Sequence, residues 1–407
     1  MSKLGQRPRL TNCYAIDSVS MSAEIDPVTL SQRLIRCPSV TPTDGGALDE
    51  LQMVLEGLGF VCHRLLFSDI ETPDVDNLYA RFGSDAPNFC FAGHTDVVPT
   101  GDLGAWTMDP FAGEILDGNL YGRGSSDMKS AIASFVSAAH RFIVANEGSP
   151  PGSISFLITG DEEGPAINGT VKVLDWMREN GEHIDACIVG EPTNPEFLGG
   201  MVKIGRRGSF TGWLTVHGIQ GHTAYPQLAD NPLSRIVKMM GPLTEEQLDQ
   251  GSQHFPPTTV AIASIDTGNE ATNVIPGKAT ASFNIRFNDL QTAESIEAWL
   301  RGIFDGVGGK YELKTACSSN AFLTEPGPLT EDLVAAVEEV LGVAPELSTT
   351  GGTSDARFIR AFCPVVEFGG VGKTMHKINE HVAVHDIRAL ADVYHRLLVR
   401  FFIRRHG

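Results

Sequence analysis

Apolar residues recur along this chain in two periods. Leu48, Leu51, Leu55 and Leu58 stand three and four residues apart, the spacing of one helical face, and Gly59 ends the run. Ahead of them Asp26-Pro27 supplies a cap and a first helical residue, Val28, Leu34 and Ile35 follow, and Cys37-Pro38 stops that helix. Strand-like runs come next at 60–67, 77–82 and 88–92, and two more at 153–159 and 186–190. Between them Met128, Ile132, Phe135, Val136, Ala139, Phe142 and Ile143 mark one face of a long helix, whereas 106–118 is polar, turn-rich and expected at the surface. Strands alternating with helices predict an α/β fold, a central mostly parallel sheet with helices on both faces.

From residue 208 the pattern changes to strand 209–218, helix 231–243, strands 258–265 and 279–287, helix 292–307 and strand 310–317. That β-α-β-β-α-β order is the ferredoxin-like split unit, long enough to stand as an inserted α+β domain. The α/β pattern resumes with a helix over 331–341, Thr349 to Asp355 leading into another, a strand at 364–368 and a flexible stretch at 369–374. Asp386 is then expected to cap a last helix with Ile387, Leu390, Ala391, Tyr394, Leu397, Leu398 and Phe401 on one side. The chain therefore divides into a host domain, 25–207 with 318–407, and an insertion, 208–317. Residues 1–24 carry no periodicity and are expected to be a disordered or non-native extension, with Met21 a candidate start.

Charged residues gather where these strands end. His94 follows the 88–92 run, and in open α/β sheets the carboxyl edge is where ligands collect. Asp96 is placed to fix its tautomer from the other ring nitrogen. Asp127 precedes the long helix, where an aspartate most often serves only as cap. The 153–159 strand ends in Glu162-Glu163 and the 186–190 strand in Glu191. Adjacent carboxylates at such an edge call for a cation or a raised pKa. His376 completes the set, with His381 and His385 as competitors that spacing does not exclude. One ion would be over-supplied, so two fit better: His94 and Glu191 on one, Glu163 and His376 on the other, Asp127 between them. Histidine with oxygen ligands suits zinc, cobalt or manganese. Glu162 is then surplus to coordination and free to act as general base and acid, which makes a paired-metal amide hydrolase.

The composition narrows the partners. A net charge of -19 over 407 residues argues against a nucleic-acid surface. No window reaches the roughly 18 apolar residues of a membrane span, and the start lacks a signal-peptide centre. Seven cysteines, odd in number and scattered, show no disulfide framework, and the expected compartment is the cytoplasm.

Gly93-His-Thr-Asp-Val-Val-Pro, Gly124-Ser-Ser-Asp-Met-Lys, Gly160-Asp-Glu-Glu-Gly, Gly190-Glu-Pro-Thr and His376-Lys-Ile-Asn-Glu together resemble the di-zinc deacylase and carboxypeptidase family that includes carboxypeptidase G and aminoacylase. The resemblance runs over roughly residues 25–405. It implies the ligands and base named above, zinc or cobalt as cofactor, a cis Asp127–Met128 peptide, and an inserted domain that serves as lid and homodimer interface. Gly205-Arg-Arg-Gly-Ser, Ile219-Gln-Gly-His-Thr-Ala-Tyr-Pro, Ala271-Thr-Asn-Val-Ile-Pro, Asn284-Ile-Arg and Gly351-Gly-Thr-Ser-Asp-Ala-Arg-Phe resemble its desuccinylating branch. That likeness implies N-succinyl-L,L-2,6-diaminopimelate as substrate, in lysine and cell-wall diaminopimelate biosynthesis. It also implies that Arg206, Ser209, Asn273, Arg286, Gly351, Gly352 and Thr353 bind substrate, while His222 reaches the partner subunit's site. Arg206, Arg207 and Arg286 offer forks suited to the three carboxylates of such a substrate. An acetylornithine deacetylase or an aminoacylase-like enzyme would share every metal residue, and an inactive scaffold would share the fold.

Overall fold

The computed structural model describes residues 24–406, so all but the last residue of the 1–24 extension, Met21 included, lies outside the described residues. An eight-stranded sheet runs in the order Val61–Asp69, Thr72–Phe82, Ser153–Thr159, Asn88–His94, Ala186–Val189, Val365–Glu367, Met201–Lys203, Glu346–Ser348. Its four middle strands, from Ser153–Thr159 to Val365–Glu367, are parallel to one another. The first two strands form an antiparallel hairpin laid along one side.

Every residue of Asn88–His94 and Ser153–Thr159 is buried, as a strand covered on both faces requires. Side chains alternate between two cores. Phe89 and Phe91 join the helices Ala47–Gly57, Ser130–Ala145 and Val384–His406, while Cys90 and Ala92 meet Thr170–Glu179 and Ala356–Ile359. The Phe91 ring stacks on Phe135 at 4.6 Å and meets Tyr394 edge-on at 5.8 Å. Truncating it to alanine would cost about 3–5 kcal/mol. This packing fixes where the strand ends, and so where His94 is presented.

The second sheet is antiparallel, ordered Thr259–Asp266, Lys278–Phe287, Gly208–His217, Tyr311–Ser319. Strict alternation of exposed or half-buried and buried residues along Lys278–Phe287 points Ala279, Ala281, Phe283, Ile285 and Phe287 toward helices Pro232–Glu245 and Ala293–Val307. The order of strands is that of a ferredoxin-like split unit, with its own hydrophobic core.

Three local expectations change. The long helix begins at Ser130. Before it, Ser125–Lys129 forms a wide turn in which Asp127 and Met128 have non-helical backbones and a cis peptide joins them. Asp127 therefore caps nothing and its carboxylate is free to face the sheet edge. The last helix begins at Val384 because the strand His381–Ala383, paired with Asn119–Tyr121, runs straight into it, which leaves Asp386 inside the first turn. The stretch 369–374 is not loose: Gly369 and Gly370 are buried and Gly372–Thr374 makes a 3-10 turn.

Candidate metal and catalytic site

His94 is the last residue of its buried strand and is 1% exposed. Its Nδ1 donates to the backbone carbonyl of Asp96 at 2.9 Å, while the Asp96 carboxylate stands 3.6 Å away. The expected tautomer follows, but from the carbonyl. The carboxylate instead accepts the backbone amides of Glu162 and Glu163 at 3.3 and 3.0 Å, tying the loop after one strand to the loop after its neighbour. Nε2 of His94 is left facing Asp127 Oδ1 at 3.2 Å and Glu191 Oε1 at 4.0 Å.

The other oxygen of Asp127, Oδ2, lies 3.2 Å from Nε2 of His376, which is 2.8 Å from Glu163 Oε1. Asp127 thus faces two histidines 282 positions apart in the chain, one with each oxygen, as a bridging carboxylate would. Donor atoms of His94, Glu162 and Glu191, and of His94, Asp127 and Glu163, lie within 4.8 Å of one another. Donors bonded at about 2.0–2.2 Å to one tetrahedral ion stand roughly 3.3–3.6 Å apart, so a divalent ion fits with small adjustments. Geometry alone would let Glu162 ligate as well as act as base. His381 takes no part: its Nδ1 donates to the Asn379 carbonyl at 2.8 Å and its ring lies on Tyr121. His385 is exposed beside Asp386.

Burial and the neighbouring Glu191 push the Glu162 carboxyl well above the usual range. Burial and the charge of Asp127 push Glu191 up to about 8, and burial raises Asp96 to about 6. Burial penalises a charged His94, but hydrogen bonding and charge from Asp127 outweigh it and hold the imidazole well above its ordinary value. Hydrogen bonds donated to the Asp127 and Glu163 carboxylates raise His376 to about 10. Burial opposes ionisation of Asp127 too, yet His376 and His94 hold it below the usual range. Without a cation, this cluster tolerates its like charges only by holding protons. Glu191 Oε1 is buried with no hydrogen-bond partner among the described residues.

The cluster floors a cleft of about 460 Å³, whose lining includes Arg206, Arg286, Gly352, Thr353 and Arg357. Arg206 is not a free fork: its Nε and Nη2 grip the buried Glu367, which also accepts the Ser354 hydroxyl at 2.8 Å. Only its Nη1 edge remains, beside Gly351, where a Cβ would come within 2.7 Å of it and φ is +102°. The Arg286 side chain has no hydrogen bond or ion pair among the described residues, and Arg207 donates to the Thr259 hydroxyl away from the cleft lining. The Ser209 hydroxyl accepts from Asn284, the Asn273 carbonyl accepts the Thr223 amide, and neither residue lines the cleft. His222 is exposed, its Nδ1 accepting the Ala224 amide at 3.0 Å, and it too lies outside the lining. Sequence reasoning gave no role to Arg357 or Glu367. The first sits inside the Gly351-to-Phe358 motif, and the second is a lone charge in an apolar strand, a visible signal.

Two histidines and a set of carboxylates at the carboxyl edge of a parallel sheet fit a metallopeptidase class, and the chain belongs to peptidase family M20/M25/M40, whose profile matches residues 90–400. More particularly, it is 62% identical over 377 residues to the succinyl-diaminopimelate desuccinylase of Rhodospirillum centenum, covering 93% of this chain and 97% of that one. The enzyme of the same name from Parvibaculum lavamentivorans is 57% identical over 390 residues, 95% of this chain and 98% of that one. A crystal structure of a tripeptidase from Staphylococcus aureus shares the fold, with a TM-score of 0.75 and 20% identity over 95% of this chain and 100% of that one.

Proposed function

We propose that this protein is a di-zinc amide hydrolase that releases succinate from N-succinyl-L,L-2,6-diaminopimelate to give L,L-2,6-diaminopimelate. The observation that carries the substrate is the 62% identity, along nearly the whole chain, to an enzyme named for that reaction. The arginines of the cleft agree with a substrate bearing three carboxylates.

The residues present fit a pair of divalent ions, since the Glu191 oxygen that no hydrogen bond satisfies among the described residues and the crowded carboxylates are what such ions would satisfy. His94 and Glu191 would hold one, Glu163 and His376 the other, with Asp127 between; imidazole with oxygen donors suits zinc, with cobalt as substitute. When bound, the ions activate water and polarise the amide carbonyl. Glu162 accepts the proton of the attacking water and returns it to the departing amine nitrogen. Asp96 sets the His94 tautomer with its carbonyl and the Glu162-Glu163 loop with its carboxylate. Arg286 and the free edge of Arg206 receive substrate carboxylates, with Gly351, Gly352 and Thr353 as the facing turn and Ser209 and Asn273 joining when the cleft closes.

The site-bearing parts, 25–207 and 318–407, form one domain, and 208–317 is a lid through which two copies pair in the cytoplasm. His222, exposed and with Nε2–H free to donate, acts in the partner subunit's cleft on the developing oxyanion. The test is succinate release from N-succinyl-L,L-2,6-diaminopimelate against acetate release from N-acetylornithine, with zinc added. Faster deacetylation would overturn the substrate.

A further inference from the structure

Glu380 and Arg123 are 0% and 2% exposed, so the pair is held in the interior with no access to water. Almost every polar contact they make ends on the backbone of a loop that carries a proposed metal ligand. Glu380 Oε1 accepts the amides of Ser126 and Asp127 at 2.8 and 3.1 Å, and Oε2 accepts Arg123 Nη1 at 2.6 Å. Arg123 donates onward to the carbonyls of Lys377 at 3.2 Å, His376 at 3.5 Å and Pro99 at 3.1 Å. The segments bridged are the one after His94, the turn of Asp127, and the loop of His376.

That last loop needs holding. His376 and Asn379 both sit at positive φ, 62° and 59°, a backbone region that non-glycine residues enter only when surrounding contacts keep them there. The His376 side chain is 48% exposed, so packing does not fix it either. Asn379 is tied by the Thr107 amide at 2.7 Å, and His376 by the Arg123 contact to its carbonyl.

We infer that Glu380 and Arg123 are positioning residues that keep Asp127 and His376 in one donor set, a role that deepens the metal-site reading above and rests on it. Neither touches substrate. A carboxylate pinned on two amides fixes the bridging residue, and a planar fork spread over three carbonyls fixes the loop that brings the second histidine.

The test is zinc affinity, measured by chelator competition on metal-free protein, for Arg123→Lys and Glu380→Gln. A lysine ammonium cannot reproduce a planar fork spread over three carbonyls, and a glutamine, neutral and with one acceptor oxygen, cannot serve the two amides and the guanidinium together. Each variant is expected to bind the weaker-held zinc about 10- to 100-fold less tightly, the usual cost of losing an outer contact to a metal ligand. Arg81→Lys is the control: Arg81 pairs with Glu182 at 2.7 Å at the opposite edge of the sheet, so its loss lowers thermal stability and leaves zinc affinity unchanged. Wild-type affinity in both variants, or an equal loss in the control, overturns the inference. Should Glu380→Gln fail to fold, Arg123→Lys decides alone. Wild-type protein that takes up no zinc would instead sink the metal-site reading itself.

Discussion

The two edges of the eight-stranded sheet treat charge in opposite ways. At the amino edge the chain supplies its own partners for half-buried carboxylates: Glu182 accepts from Arg81 at 2.7 Å and from the Tyr79 hydroxyl at 2.9 Å, and Asp185 accepts the Asn88 amide at 2.8 Å. At the carboxyl edge Asp96, Asp127, Glu162, Glu163 and Glu191 crowd against two histidines, and one Glu191 oxygen has no hydrogen-bond partner among the described residues. A fold that pairs its charges at one end can do so at the other. The difference marks the carboxyl edge as built for a cation from outside the chain.

The contrast is broken most severely by removing that cation. Stripping zinc with a chelator should abolish succinate release and lower thermal stability, and restoring zinc should recover both, since at a thousandfold excess over Kd each ion contributes about 4 kcal/mol. Unchanged melting on stripping would mean the crowded edge needs no ion.

Glu162→Gln should cost about 10²- to 10⁴-fold in kcat with two zinc ions retained, which separates proton transfer from coordination. Loss of an ion in that variant would make Glu162 a ligand, a role that its closeness to His94 and Glu191 permits. Next in size is His222→Ala, expected to lose about 10²-fold in kcat. Mixing it with Glu162→Ala, under conditions where subunits exchange, should restore activity through heterodimers with one intact site. A mixture as inactive as its parents would confine His222 to its own subunit.

The smallest effect concerns pH. Zinc held by His376 and Glu191, as proposed, would require them without their protons, and the cluster raises these groups to about 10 and 8. Zinc affinity should therefore climb as pH rises from 6 to 9, with protons released to the buffer; calorimetry in buffers of different ionisation enthalpy reads them directly. Affinity flat across that range would show that the donor set is not held by protons.

Much of this is legible in the sequence because it is local. Apolar runs that stop at His94, Glu162-Glu163 and Glu191 announce three strand ends, and the sheet sets the strands side by side, Ser153–Thr159 and Ala186–Val189 flanking Asn88–His94. What is not legible depends on partners far along the chain or on loop conformation. Arg206 reads as a free fork until Glu367, 161 positions away, is seen gripping it. Asp96 reads as the partner that fixes the His94 tautomer, but which of its oxygens does so is set by the loop, which turns the backbone carbonyl to that task. The start of the last helix shifts because the strand before it pairs with Asn119–Tyr121, more than 250 positions upstream. The cis Asp127–Met128 peptide has no local signature and follows only from family likeness.

Whether the carboxyl edge holds two ions is decided by counting zinc bound per chain when metal-free protein is titrated to saturation. Two ions are expected in the wild type, and a loss of tight binding in Glu191→Ala, where the oxygen without a hydrogen-bond partner among the described residues is removed. Saturation at one ion or none in the wild type would contradict it.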